Sequence, residues 1–347
     1  VRLLPLQIIR QDLTKMEVNA IVNAANSQLQ QGGGVCGAIF AAAGAERLQA
    51  ECNTLAPCPV GQAVLTQGYD LPADFIIHTV GPVWQGGDHN EEALLRSCYR
   101  SSLTLAQARG LDSIAFPLIS SGIYGYPKDL ALQVAMKTIG EFLLEHEMQV
   151  SLVVYDADTV QISKSQYREL QEFIDDHYVE EHLLRRSRRN EVSADLAEEE
   201  SVRYRVPYRE SSPSPKQKSA HAASQRSFVV KEFSISETFS EMLFRHIDQS
   251  GLTDPQVYRR ANMDRRLFSK IRSNTEYQPS KNTALALAVA LKLNLDQTTD
   301  LLRRAGYALS PSSKFDLIVE YFIREQLFDI FEINAVLFEY GQSLLGV

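Results

Sequence analysis

Gly32-Gly33-Gly34 runs directly into the apolar stretch Val35-Cys36-Gly37-Ala38-Ile39-Phe40. Glycines at a helix start permit positive φ and present backbone N–H groups that no Cβ screens. The helix dipole and the unsatisfied first-turn amides then favour an anion. A second stretch, "PLISSGIYGYP" at 117–127, offers another set of amides and the hydroxyls of Ser120 and Ser121. A third, "IIRQDLTK" at 8–15, shares their position after a strand-like run. In α/β sheets such loops gather at the carboxyl ends of the strands, where ligands bind. Two anion-binding loops facing each other suit a diphosphate. The plainer reading of each glycine run is a tight turn chosen for folding. No Gly-Lys-Ser/Thr follows these glycines, so this is not a Walker loop.

The elements that must hold these loops are legible as alternating patterns. "LQIIR", "AIVNAAN", "AVLTQGY", "FIIHTVG", "SIAFPLIS" and "VSLVVYD" are short runs rich in β-branched residues. Several are apolar nearly throughout, as strands covered on both faces tend to be. Helical patterns lie between them over 35–52, 90–110 and 127–147, and a further one begins at Ser163. Pro127 stands at a helix start, where its missing N–H costs nothing. Strands alternating with helices predict a three-layer α/β/α domain.

The three loop stretches, together with "IIHTVGPVW" and "LLRSCYRSSLTLA", resemble the macrodomain family over residues 5–178. The resemblance implies an α/β fold with a mixed sheet and a module that binds ADP-ribose or an ADP-ribosylated macromolecule. By that resemblance Asp12 accepts from the adenine amino group, with the Leu13 amide nearby. A carboxylate acceptor for an exocyclic amine is sound chemistry in its own right. The loop Gly33, Gly34, Val35 and the loop Ser120, Ser121, Gly122, Ile123, Tyr124 cradle the diphosphate. Asn26, last of "NAAN", reaches the distal ribose, and Tyr155 stacks on adenine.

One large group of that family removes ADP-ribose from macromolecules or small esters, and its members resemble "NAAN…GGGVDGAIH". Here the aspartate position is Cys36 and the following histidine position is Phe40. A thiol cannot imitate a carboxylate. Cys36 is either a thiolate at a helix N-terminus, where thiol pKa values fall, or a small apolar space-filler. Some viral members resemble "NAAN…GGGVAGAL" and still fall in the hydrolytic group. In those, phosphate loops and a positioned water carry the rate through orientation and electrostatics. Asn26 and Cys36 are therefore the catalytic candidates. His78, at the end of an apolar strand, reads as a core histidine. The zinc-containing members carry a Cys/His insertion that is missing here, so no metal and no cofactor are expected.

Residues 185–227 are charged, rich in Ser and Pro, and poor in large apolar side chains. Such a segment buries too little to offset its ordering entropy and reads as a mobile linker. The expected division is 1–179, a linker at 180–227, and an all-α domain at 228–347. Its helices are expected near 236–249, 254–261, 264–273, 280–293, 296–305, 313–326 and 330–340. Residues 236–307 resemble Cro/repressor-like helix-turn-helix domains. That resemblance makes 264–273 the recognition helix, with Arg265, Arg266, Lys270 and Arg272 contacting phosphates or guanine edges of DNA. Asp264, Leu267 and Phe268 weaken a reading face, so the same fold serves protein interaction as an alternative. The apolar stretch from Ser312 to Tyr340 either packs on the helical domain or forms a homodimer interface.

The formal net charge of −8 argues against coating of nucleic acid along the whole chain, yet residues 254–304 hold a basic excess. Four cysteines without a Cys-x-x-Cys pair, and no apolar run of membrane length, point to a cytoplasmic protein with reduced thiols and no membrane partner. Two functions follow: hydrolysis of an ADP-ribosyl linkage, or sensing of ADP-ribose reported through the helical domain.

Overall fold

The computed structural model describes residues 5–154, 169–174 and 237–346. The expected linker, both of its boundaries and Tyr155 lie outside the described residues.

Six strands form one mixed sheet: β1 (Leu6–Arg10), β2 (Ala20–Ala25), β3 (Ala63–Gln67), β4 (Phe75–Val80), β5 (Ser113–Pro117) and β6 (Gln149–Val154). Their spatial order is β1-β6-β5-β2-β4-β3. All neighbours are parallel except β3, which runs antiparallel to β4 at one edge. On one face lie α1 (Gly34–Ala43) and α2 (Ala45–Leu55); on the other lie α3 (Glu91–Ala108) and α4 (Lys128–Glu145). Side chains alternate between the faces, as the pleat requires. Ile21 and Ile76 enter the core under α1, while Val22 and Ile77 enter the core under α3 and α4. This is the expected three-layer architecture with a mixed sheet.

The single helix expected over 35–52 is two helices. Gly44 stands between them at φ +91, a left-handed conformation that an L side chain adopts only under strain. Apolar periodicity continues across the break, which is why the pattern alone does not reveal it.

The C-terminal half is all helical: α5 (Phe239–Ser250), α6 (Asp254–Arg260), α7 (Arg265–Ser273), α8 (Lys281–Ala290), α9 (Leu295–Arg304), α10 (Lys314–Arg324) and α11 (Ile330–Glu339). Caps fix most starts. Thr238 accepts from the Glu241 amide at 3.2 Å while the Glu241 carboxylate accepts from the Thr238 amide at 2.8 Å. Asp264 Oδ1 accepts from the Arg266 amide at 2.7 Å, so this carboxylate serves the start of α7. Ala-rich α8 is buried along most of its length, with the other helices packed around it.

The two halves share one continuous apolar core. The Phe331 ring of α11 lies where a Cβ on Gly140 of α4 would come within 2.5 Å of it. The apolar C-terminal stretch thus packs on the α/β half as well as on its own helices. Polar contacts close the seam. Asn262, in the turn between α6 and α7, is buried at φ +48. Its Oδ1 accepts from the Leu6 amide and its Nδ2 donates to the Leu6 carbonyl, both at 2.9 Å. The side-chain amide thereby pairs the open edge of β1 as another strand would. Arg259 Nη1 donates to the carbonyls of Leu144 and Glu145, at 3.1 and 3.2 Å, closing the C-terminus of α4.

Replacing Asn262 with Ala leaves the buried Leu6 N–H and C=O unpaired, and each orphan costs about 1–3 kcal/mol. Urea denaturation of Asn262→Ala is expected to show a loss of about 2–5 kcal/mol. A loss below about 0.5 kcal/mol, the ordinary surface range, would contradict this role.

Candidate functional site

A cavity of about 200 Å³ opens at the carboxyl ends of the parallel strands. Ala24 and Ala25 at the end of β2 with Asn26 after it, Gly81 after β4, and Leu118, Ser120 and 122–124 after β5 line it, with 32–36 as the opposite wall. The two glycine-bearing stretches therefore face each other.

The first wall is the start of α1. Gly33 caps it in an extended conformation and no side chain satisfies its first amides. Those N–H groups and the helix dipole are free to hold an anion. Gly34 has φ +58, the left-handed region that favours glycine. A Cβ on Gly37 would sit 2.6 Å from the Gly32 carbonyl oxygen, so only glycine lets the loop fold back on the helix.

The second wall is held from behind. The Tyr126 amide donates to the Ser120 carbonyl at 3.0 Å, and the Trp84 amide donates to the Tyr124 carbonyl at 2.8 Å. Trp84 also stacks on Tyr126, ring centres 4.6 Å apart. The buried Tyr99 hydroxyl accepts from the Ile119 amide at 3.2 Å. These ties fix the loop without using the amides of 122–124. Ser120 sits at φ +65, and its buried Oγ has no hydrogen-bond partner. A Cβ on Gly81 would lie 2.1 Å from that oxygen. Ile123 is 82% exposed at the cavity rim, and a Cβ on Gly33 would touch its Cδ1 at 3.6 Å.

Asp12 and Leu13 lie just past the end of β1. Asp12 Oδ1 accepts from the Thr14 hydroxyl at 2.7 Å and the Thr14 amide at 3.0 Å. The hydroxyl bond, then the amide bond, hold this carboxyl below its usual range. Asp12 is thus an ionised acceptor oriented by its own turn. Neither residue lines the 200 Å³ cavity itself.

Asn26 lines the cavity, but its amide serves its own loop. Oδ1 accepts from the amides of Gln28 and Gln30, each at 3.1 Å, and Nδ2 donates to the Gln30 carbonyl at 2.8 Å. Cys36 is buried in the first turn of α1, with its sulfur 3.9 Å from the Gln30 carbonyl. Phe40 is buried one turn further and meets His78 edge-on, ring centres 6.4 Å apart.

Sequence reasoning missed Asn23. It is fully buried on β2 and donates to His78 Nδ1 at 3.0 Å and to the Cys36 sulfur at 3.6 Å. His78 Nε2 faces the Thr66 hydroxyl at 2.9 Å, which in turn donates to the Gln67 carbonyl at 3.3 Å. A polar thread thus runs from the cavity wall through the sheet to its edge. Burial pushes His78 down to about 4, so the ring is neutral, with its proton on Nε2. Burial also pushes the nearby Cys52 thiol up to about 11. The only cue in the sequence was an amide at an inward position of an apolar strand.

The four basic candidates of the helical half are exposed on α7 and are unevenly engaged. Arg272 lies 3.5 Å from Asp254 and over the Phe244 ring at 4.5 Å. Lys270 lies over Tyr277 at 5.6 Å. Arg265 and Arg266 face a cleft against the α/β half.

The Macro domain family profile matches residues 22–135, within the α/β half. A Macro domain-containing protein of Methanosarcina mazei is 53% identical over 156 residues, 44% of this chain and 83% of its own length. A protein of Escherichia coli K12 named O-acetyl-ADP-ribose deacetylase is 46% identical over 162 residues, 45% of this chain and 92% of its own length. A solved Oceanobacillus iheyensis macrodomain with MES bound is 42% identical, covers 48% of this chain and 92% of its own, and superposes with a TM-score of 0.44.

The His78 thread has a pH signature. The folded pKa of about 4 lies below the ordinary 6.5, so the unfolded chain takes up the proton first. Stability from this site is complete above about pH 6.5 and falls as pH drops toward 4, by roughly 3 kcal/mol in all. The difference in unfolding free energy between the protein and His78→Gln is expected to shrink over that window. A difference that stays constant from pH 7.5 to 4.5 would contradict a buried neutral His78.

Proposed function

The chain belongs to the macrodomain family through its α/β half, and from that premise we infer that the cavity binds ADP-ribose and hydrolyses an ADP-ribosyl linkage on a macromolecule or small ester. One observation carries the reading: residues 33–35 and 122–124, two backbone stretches whose amides no side chain satisfies among the described residues, line one cavity. Fixed N–H groups on both sides match a diphosphate. They act in a partly dry site, where electrostatic contacts are stronger than in water. The Ser120 hydroxyl, buried without a partner, is a further donor to the same ligand. Asp12, ionised and oriented by Thr14, suits the adenine amino group.

Hydrolysis of an O-acyl ester in this cavity joins water to the acyl carbonyl and releases the acid and ADP-ribose. The loops would hold the diphosphate so that the distal ribose and its ester lie beside Asn26 and Cys36. Cys36 supplies no carboxylate to take a proton from that water. Turnover then rests on orientation of ligand and water, and on the charge-stabilising amides. A second reading is favoured by the same residues. With the Asn26 amide engaged in its own loop and a thiol at position 36, the cavity serves as a reader of ADP-ribose. The α6-turn-α7 arrangement supports a helix-turn-helix-like targeting role for the helical half, with Arg265, Arg266, Lys270 and Arg272 as its DNA-facing cations.

Calorimetry is expected to show one ADP-ribose site per chain, weakened about tenfold or more by Gly34→Val, which removes the left-handed glycine. Release of free ADP-ribose from O-acetyl-ADP-ribose and from mono-ADP-ribosylated protein separates enzyme from reader. Cys36→Asp is expected to raise kcat by about 100-fold, the lower end of what a positioned general base contributes. Binding without release, in both the protein and Cys36→Asp, would leave the reader and overturn the enzyme.

A further inference from the structure

A second cleft, of about 680 Å³, lies along the seam between the two halves. Pro5 before β1, Asp112 before β5 and Gln149 at the start of β6 line one side. It therefore sits at the amino ends of the strands, the pole opposite the ADP-ribose cavity. The other side is Arg259 of α6 with Arg265, Arg266 and Ser269 of α7. Leu143, Met148 and Met263 give it an apolar floor.

The charges here are unevenly engaged. Glu147 accepts from the Tyr258 hydroxyl at 2.7 Å and lies 3.8 Å from Arg259. Asp264 caps α7. Arg265 and Arg266 form no ion pair among the described residues, and the buried Nε of Arg259 has no acceptor. Two arginines of α7 and the Arg259 Nε thus converge on one cleft without an acceptor of their own among the described residues. Beyond the rim, exposed Lys270 continues the cationic surface along α7.

We propose that this seam cleft is a composite phosphate site that seats the backbone of a nucleic-acid strand lying along α7. The proposal rests on the reading of the helical half as nucleic-acid-facing, and it changes that reading in one respect. The α6–α7 turn is not free to approach a duplex alone, because Asn262 and Arg259 bind it to β1 and α4. The α/β half therefore forms part of the contact surface. Arg265 and Arg266 hold phosphates from one side, while Gln149 donates from the other. Asp112, with no ion pair among the described residues, opposes the strand and weakens it.

The test uses the full chain and fluorescence anisotropy with a labelled single-stranded oligodeoxynucleotide, and the same sequence as a duplex, at two salt concentrations. Inorganic pyrophosphate serves as competitor. The single strand is expected to bind, with affinity falling as salt rises. Arg265→Ala with Arg266→Ala should weaken it at least about tenfold and flatten the salt dependence by roughly one power per arginine. Gln149→Glu should weaken binding several-fold and Asp112→Asn should tighten it, with ADP-ribose binding unchanged in every variant. No binding of either oligonucleotide overturns the nucleic-acid reading of the helical half. Binding that responds to the two arginines but not to Gln149→Glu or Asp112→Asn overturns the composite site alone. Displacement by pyrophosphate as readily as by unlabelled strand would replace the strand with a small anion, and tighter binding of the duplex would replace it with double-stranded DNA. In all these outcomes the ADP-ribose reading is judged separately, by calorimetry on the same samples.

Discussion

Backbone amides that no side chain satisfies are the constraint on which the site depends. The start of α1 carries no capping side chain, so its first amides are left to water or to a ligand. The sequence accepts that condition where the loop at 118–126 supplies a facing wall. The glycines keep the amides bare, and Gly37 lets the loop fold back over its own helix. Everything behind the second wall holds its position: Trp84 on Tyr126, Tyr99 on the Ile119 amide, and the Ser120–Tyr126 backbone bond. A rigid frame lets such dipoles act without reorganising when charge arrives.

Beneath the first wall, the Asn23 amide joins Cys36 to His78. It ties Cys36 to a neutral, buried histidine. Phe40 fills the adjoining space against the same ring. The thiol and the phenyl ring make this side of the cavity less polar than a carboxylate and an imidazole would.

Much of this was legible beforehand. The strand patterns and the two glycine-bearing loops depend on short-range rules, and the structure places them where those rules predict. Gly44 was harder, because apolar periodicity runs through the break it makes between α1 and α2. Asn23 and the Asn26 loop contacts were invisible, since both depend on where an amide points rather than on residue type. The seam was hidden for another reason. The Phe331–Gly140 contact and the Asn262–Leu6 pairing join residues distant in sequence, and no local pattern marks them.

With the seam in view, α4 links the two poles. It begins just after the Ser120–Tyr126 loop and ends at carbonyls held by Arg259. Its 18 residues span about 27 Å, and the ligand cavity and the seam cleft lie at its two ends. The central claim remains that opposed amides make the cavity an ADP-ribose site. Amide-resolved NMR during titration with ADP-ribose tests it most directly. The account predicts that the largest shifts fall on the N–H groups of Gly33, Gly34, Val35, Gly122, Ile123 and Tyr124. Small shifts there, with the largest changes elsewhere on the chain, would contradict it.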